Sequence, residues 1–257
     1  MSSLTNLQRA KVNQFIEATG SNSRVAGIYL RSHSWRVDAA LNDYHDNASS
    51  YGTQKSKKSQ QESKALQVIF DKFRDPEEPL VIGIDGTISL FQELGVDLED
   101  PVALAIAYKL EAPSVARFER DGFVNGWVSL GADSISSMKS AVDKIRTDFE
   151  NDQTFFKQVY LFTFPYIRPE GTRVVQLEAA IDYWDLLLKR LFPSEEVYDK
   201  WIKYLNEEYK RSISKDTWNS LYDFVVNVLG STDGLEQYDA EGAWPSIFDA
   251  FVEFLKA

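Results

Sequence analysis

Cysteine is absent from this chain, and only two histidines are present, His33 and His45. No other feature restricts the possible fold as much. Disulfides are excluded. So is a structural zinc site of the Cys/His type, which needs four such ligands in one tight cluster. A thiol nucleophile is excluded with them. The 257 residues must therefore fold without a disulfide or a Cys/His zinc site. With 44% hydrophobic and 26% charged residues there is material for one sizeable core and a small additional module.

The apolar residues recur at helical spacing almost throughout, and no region sustains the apolar/polar alternation of a half-buried strand. An all-α fold is expected. Residues 4–47 read as three short helices. Leu7, Val12, Phe15 and Ile16 carry the first, which Gly20 stops. Val25, Ile28, Tyr29 and Leu30 carry the second. Ser34 is placed to cap a third, with Val37, Leu41 and Tyr44 on its apolar side and Trp35 in the core. The next stretch, rich in Ser, Lys and Gln, has almost no apolar residues and reads as a polar linker. The expected organisation is a three-helix domain at 1–47, a linker at 48–64 and a helical domain at 65–257.

Within the third part, Leu66, Ile69, Phe70 and Phe73 form one helix face, and Asp75-Pro76 ends that helix. A loop with a central Ile84 and an apolar helix through Leu90, Phe91 and Leu94 follow. Helix, loop with central Ile, helix is an EF-hand layout, and a second hairpin of the same style holds Val115, Phe118, Phe123 and Trp127. With Ile84 at the eighth loop position, the third, fifth and twelfth are Pro79, Val81 and Ile88, none of which can ligate calcium. The hairpins are therefore expected to be degenerate and metal-free. Asp133 or Ser134 can cap the helix of Ile135, Met138, Val142 and Ile145. Pro165 and Pro169-Glu-Gly171 are expected to break the aromatic helix Phe155–Tyr166. Pro193-Ser194 and Ser214-Lys215 open two later helices. Pro245 suits the first turn of a last helix that buries Ile247, Phe248, Phe251, Val252, Phe254 and Leu255 and turns Asp249 and Glu253 outward.

Net charge is −11, which argues against nucleic acid and anionic membrane as partners. The charge is uneven. Residues 1–50 hold five Lys/Arg and four Asp/Glu, net +1; residues 194–257 hold six Lys/Arg and thirteen Asp/Glu, net −7. A basic partner is expected to land on the C-terminal end. No apolar run approaches the ~18 residues needed to span a bilayer. Met1-Ser2-Ser3-Leu4 has neither a basic nor a long apolar signal region, so cytoplasm and nucleus are the expected compartments.

Several motifs then occur in a telling order: Ile82-Gly-Ile-Asp-Gly86, Ala180-Ile-Asp-Tyr-Trp184, Arg211-Ser-Ile213, Lys215-Asp-Thr-Trp218 and Gly242-Ala-Trp-Pro245. Together they resemble the defective-in-cullin-neddylation family, in which a UBA-like domain precedes a helical cullin-binding, or PONY, domain. Trp35-Arg-Val-Asp-Ala-Ala-Leu-Asn-Asp-Tyr44 resembles the UBA-like part. The resemblance covers nearly the whole chain. It implies a scaffold-type co-ligase that binds a cullin's C-terminal winged-helix region and the neddylation conjugating enzyme, and orients them for modifier transfer. That is catalysis by proximity, needing no catalytic side chain and no cofactor here. The chemistry would come from the conjugating enzyme and the cullin-associated RING protein, and a monomer is expected.

The resemblance also implies sites. The family's cullin contact is an Asp-Ala-Asp patch, which maps onto Asp216, Ala243 and Asp249. Two carboxylates bracketing a small residue let basic side chains pair while the partner comes close. Without the motif, Asp216 reads as a first-turn acid favoured by the helix dipole, and Asp249 as part of a solvated face. The family captures the acetylated N-terminal methionine of the conjugating enzyme in an apolar pocket. The matching positions are Ile84, Ala103, Ile106, Ala107, Leu110, Val115, Phe118, Tyr166, Tyr183 and Leu186, each of which would serve equally as ordinary core. Thr87 and Tyr166 depart from the more apolar residues expected there. UBA-like domains often bind ubiquitin through a Met-Gly-aromatic loop. Here the loop is Thr19-Gly20-Ser21, so weak or absent ubiquitin affinity is expected. The competing classes are an EF-hand-like calcium-binding protein, disfavoured by Pro79, Val81 and Ile88, and a metal-free hydrolase, for which no nucleophile–base arrangement is present.

Overall fold

The computed structural model of the chain describes residues 6–19, 23–50, 52–232, 234–236, 238–239, 242 and 244–256. The chain divides into two compact units, Met1–Glu62 and Ser63–Ala257. The architecture is all-α, with four two-residue strands paired into two small sheets among the described residues.

The first unit contains α1 (Asn6–Thr19), α2 (Ser23–Ser32) and α3 (Val37–Ser50). Its core is Val12, Phe15, Ala26, Leu30 and Ala40, with Ile16, Tyr29, Trp35, Val37, Leu41 and Tyr44 packed against it. The rings of Phe15, Tyr29 and Tyr44 contact one another, with centroids 5.2 to 6.0 Å apart. Leu7, Val25 and Ile28, expected on apolar faces, lie outside the described side chains, as does His45. Helix α1 ends at Thr19, just before Gly20, which is itself outside the described residues. Ser34 does not cap α3. It and Trp35 adopt positive φ (52° and 63°) in the turn between α2 and α3, and the Lys11 ammonium donates to the Trp35 carbonyl at 2.8 Å.

The stretch expected to be a linker is helical: α3 reaches Ser50, and α4 runs Gly52–Phe73. Its Lys, Gln and Glu residues are good helix formers, so a polar composition alone does not prevent a helix.

In the second unit α4 is followed by β1 (Val81–Ile82), α5 (Ile84–Leu94), α6 (Val102–Lys109), β2 (Phe118–Glu119), α7 (Arg120–Ser129) and α8 (Ile135–Asn151). Then come α9 (Gln153–Ile167), β3 (Val174–Val175), α10 (Leu177–Leu187), α11 (Glu195–Tyr204), β4 (Ile213–Ser214), α12 (Lys215–Phe224) and α13 (Ser246–Lys256). Helices α11 and α12 each continue into a π-helical turn, Leu205–Tyr209 and Val225–Leu229. Both sheets are antiparallel. Ile82 faces Phe118 in one, and Val175 faces Ile213 in the other. Each sheet ties the loop of one helix–loop–helix unit to that of the next.

The residue of this loop that pairs in a strand is Ile82, not the expected Ile84, which is the first residue of α5. Shifting the register by two moves the first, third, fifth and twelfth loop positions to Asp75, Glu77, Pro79 and Gly86. Gly86 offers no carboxylate, and Asp75 Oδ1 accepts from the Glu77 and Glu78 N–H groups at 2.7 and 3.1 Å. Gly86 has a packing role instead: a Cβ there would lie 1.9 Å from the Phe73 carbonyl oxygen, so only glycine lets α5 approach the end of α4.

Helix starts follow side-chain capping. Ser134 and Ser137 form a reciprocal capping box on α8. Asp152 caps α9, and Ser194 and Ser214 cap α11 and α12. Pro165 does not end α9, which runs two residues further. One i→i−4 bond is lost near the helix end, and the last turn is held by Tyr166 stacking on Phe162 at 5.2 Å. Pro245 sits just ahead of α13, and its carbonyl accepts from the Phe248 N–H at 2.9 Å. The core is aromatic, with Trp127, Trp184, Trp201 and Trp218 fully buried. No helix among the described residues is long and apolar enough to cross a membrane.

Candidate functional site

Helix α13 carries the acidic surface of interest. Its buried side presents Ile247, Phe248, Phe251 and Val252 to Trp201 and Tyr204 of α11 and to Phe224 of α12. Phe224 is the hub of this corner. It stacks on Phe248 at 4.6 Å and 9°, and meets Tyr238 and Trp244 edge-on at 5.9 and 5.8 Å. These contacts fasten the segment before α13 and set the rotation of the helix.

Asp249 lies in the first turn of α13, half-buried, and its Oδ1 accepts a 2.6 Å hydrogen bond from the Tyr238 hydroxyl. Burial, then the adjoining Asp249 carboxylate, hold the Tyr238 phenol well above its ordinary range, so Tyr238 stays a donor at neutral pH. Asp249 is thus positioned rather than merely solvated. Asp216 is exposed in the first turn of α12, beyond the Ser214 cap. It stands eight residues from Phe224, about 12 Å along the helix axis from the Phe224–Phe248 contact. The two carboxylates belong to separate helices and do not touch. Ala243 lies outside the described residues.

Beside α13 runs a groove of about 530 Å³. Ser246, Ala250, Glu253 and Phe254 form one wall; Tyr204, Glu208, Tyr209 and Arg211 form the other. Glu208 and Tyr209 escape a sequence reading because the π-helical turn rotates them away from the α11 periodicity. The only signal for the groove is the excess of acids in the C-terminal quarter.

The structure does not give the positions matched to the peptide pocket one common environment. Ile106, Ala107, Leu110 and Phe118 are fully buried in the core. Ile84 and Val115 are 65% and 51% exposed, unusual for side chains of this size. Tyr166 is buried as well and bonds to the segment that follows Val115. The Ala116 N–H donates to its hydroxyl at 3.3 Å, while the Ala116 carbonyl accepts from Thr87 Oγ1 at 3.2 Å. Helices α5 and α9 thereby clamp the Val115–Arg117 segment from two sides. Thr87 and Tyr166, the two departures in the sequence, are the two groups that make this clamp. Burial pushes the Tyr166 hydroxyl up to about 12, and Tyr183 lies close enough to contribute. Ala103 and Tyr183 are half-buried against the core. Leu186 lines a different cavity of about 300 Å³, with Asp100, Arg146 and Arg190, that no other member of the set reaches. Among the described residues no cluster of three or more His, Asp or Glu is arranged to hold a metal ion.

Residues 137–254 match the family described as cullin binding, and residues 9–50 match a UBA-like domain. The chain is 35% identical to Defective in cullin neddylation protein 1 of Yarrowia lipolytica over 96% of both chains. It is 29% identical to the protein of that name in Caenorhabditis elegans, over 100% of this chain and 92% of the relative. For the Saccharomyces cerevisiae protein the identity is 27%, over 97% and 94%.

Proposed function

The chain belongs to the defective-in-cullin-neddylation family, and from that premise we propose that it is a non-catalytic co-ligase for cullin neddylation. It binds the cullin's C-terminal winged-helix region through Asp216, Ala243 and Asp249. It takes the acetylated N-terminus of the neddylation conjugating enzyme at the surface around Ile84, Val115, Tyr166 and Tyr183. Holding both partners restricts the acceptor lysine and the thioester to productive orientations, the effect of proximity on a bimolecular step. The cysteine-free sequence fits this division of labour, in which the conjugating enzyme and the RING protein carry the transfer chemistry.

The observation that carries the reading is the near-full-length likeness to relatives named for cullin neddylation, with Asp216 and Asp249 inside the stretch that matches the cullin-binding family. The side chains support it. Both carboxylates are accessible, and Asp249 is held in place by Tyr238. Basic groups meeting such a surface gain charge-assisted hydrogen bonds and electrostatic steering. The pocket positions offer exposed apolar side chains, Ile84 at the start of α5 and Val115 in the clamped segment with Ala116. Burying an acetylated amine there costs far less than burying an ammonium.

Reconstituted transfer of the modifier to a cullin–RING complex tests the proposal. Wild-type protein is expected to accelerate transfer, and Asp249→Arg to abolish the acceleration while keeping the helical circular dichroism spectrum. Equal rates with and without the wild-type protein would overturn it.

A further inference from the structure

Two hydroxyl groups from different helices hold the same residue of the loop before β2. Thr87 Oγ1 on α5 donates to the Ala116 carbonyl at 3.2 Å, and the Ala116 N–H donates to the Tyr166 hydroxyl of α9 at 3.3 Å. We propose that Thr87 and Tyr166 are positioning residues for peptide capture: they fix the turn Ser114–Arg117 so that Val115 is presented in one orientation to the acetylated N-terminus. This role rests on the proposed capture of the conjugating enzyme at this surface, and deepens it by naming what preforms the receptor.

Ser and Thr hydroxyls on helices commonly bond back to the preceding turn. Of the described threonines, Thr87, Thr163 and Thr217 are buried. Thr163 donates to the Val159 carbonyl one turn earlier, and Thr217 bonds to Ser214 at the head of its own helix. Of these three, Thr87 alone reaches a distant segment, 29 residues further along the chain. Tyr166 reaches 50 residues back to the same place. A valine and a phenylalanine would fill similar volumes, so the hydroxyls serve the contact with Ala116 rather than the packing.

Ala116 needs such support. Its φ is 51°, a left-handed conformation that a residue bearing a Cβ keeps only where its surroundings impose it. The turn around it is closed by the Arg117 N–H on the Ser114 carbonyl at 3.2 Å, and the Arg117 guanidinium pairs with Glu78 at 2.7 Å. Phe118 then enters β2 opposite Ile82. Amid these tethers the Val115 side chain is left half exposed to solvent. Ile84, more exposed still, lies three residues before Thr87 and so on the same face of α5. The two exposed apolar side chains thus flank the clamped residue. A surface fixed before the ligand arrives avoids the ordering cost that a mobile loop would impose on binding.

The test is a titration of the full chain into a peptide that begins with N-acetylmethionine and carries fluorescein at its other end. Anisotropy is followed at a temperature where circular dichroism shows every variant folded. Thr87→Val and Tyr166→Phe remove one hydroxyl each and should each weaken binding by roughly fivefold, the scale of one neutral hydrogen bond. Thr87→Ser keeps a hydroxyl and should bind like wild type. Thr163→Val makes the same chemical change at a buried hydroxyl bonded within its own helix, and should also bind like wild type. A purely structural role would lower the unfolding midpoint and leave the affinity of the folded protein unchanged. Wild-type affinity in either Thr87→Val or Tyr166→Phe, or equal weakening in Thr163→Val, would overturn the positioning role while the acetylated peptide still binds more tightly than its unacetylated form. Equal binding of those two peptides by the wild-type chain would instead overturn the proposed capture itself, and the positioning role with it.

Discussion

Tyr160 and Trp218 hold each other in the core by two reciprocal hydrogen bonds and a stacked ring contact. The Tyr160 hydroxyl donates to the Trp218 carbonyl at 2.6 Å, and the Trp218 indole N–H donates to the Tyr160 carbonyl at 3.0 Å. The rings stack at 5.1 Å and 12°. The Trp184 indole N–H adds a third bond, to the Tyr160 oxygen, at 3.2 Å. This joins α9, α10 and α12 in one buried network. Within Lys215-Asp-Thr-Trp218 the two distinctive side chains therefore do different things: Trp218 builds the fold, and Asp216 faces solvent.

Tyr160→Phe should lower stability by about 1–3 kcal/mol, because it leaves the Trp184 N–H buried without a partner and removes the side-chain bond to the Trp218 carbonyl, which keeps only its intrahelical one. Urea unfolding measures this directly. The candidate carboxylates Asp216 and Asp249 are untouched, so on the proposed reading cullin affinity of the folded variant should match wild type. A loss below a few tenths of a kcal/mol would mean that water replaces the hydroxyl.

Tyr238→Phe should weaken binding of an isolated cullin winged-helix domain by roughly fivefold, about 1 kcal/mol, because Asp249 loses the bond that orients it. Asp249→Arg should remove binding altogether, since it turns an attractive charge into a repulsive one at the contact. Calorimetric titration separates the two. Wild-type affinity in Tyr238→Phe would mean that Asp249 needs no such support.

Ile84→Asp should leave the fold intact, because the side chain is 65% exposed, yet weaken capture of an N-acetylated methionine peptide. Ile106→Asp, at a fully buried position, should instead unfold the protein by placing a carboxylate in the core. With wild-type protein the unacetylated peptide should bind far more weakly than the acetylated one. Identical titration curves for the two peptides would refute the pocket.

Alkaline pH should unfold the second unit cooperatively. Burial raises the Tyr160, Tyr166, Tyr183, Tyr204 and Tyr222 hydroxyls above the ordinary value of 10, with Tyr166 near 12. The folded state holds these protons more tightly than the unfolded chain. Their contribution is therefore fully present below pH 10 and is lost as pH rises toward 12. Tyrosinate absorbance and near-ultraviolet circular dichroism should change together in that window. Full ionisation near pH 10 with the tertiary signal intact would contradict the buried environments.

By itself the sequence determined the all-α class, the helix starts at Ser134, Ser194 and Ser214, the apolar face of α13 and the candidate docking carboxylates. These depend on neighbours three or four residues apart, or on short motifs, and such local relationships survive without a fold. Tertiary structure decided the rest. The register of the first loop moved from Ile84 to Ile82 because strand pairing with Phe118, 36 residues away, chooses the central residue. Helix formation across 52–64 followed from residue propensity that a polar composition concealed. The bond between Tyr238 and Asp249 joins residues 11 apart in sequence, and that between Tyr160 and Trp218 joins residues 58 apart. No periodicity encodes such pairs. They exist because packing of the aromatic core brings distant helices to hydrogen-bonding distance.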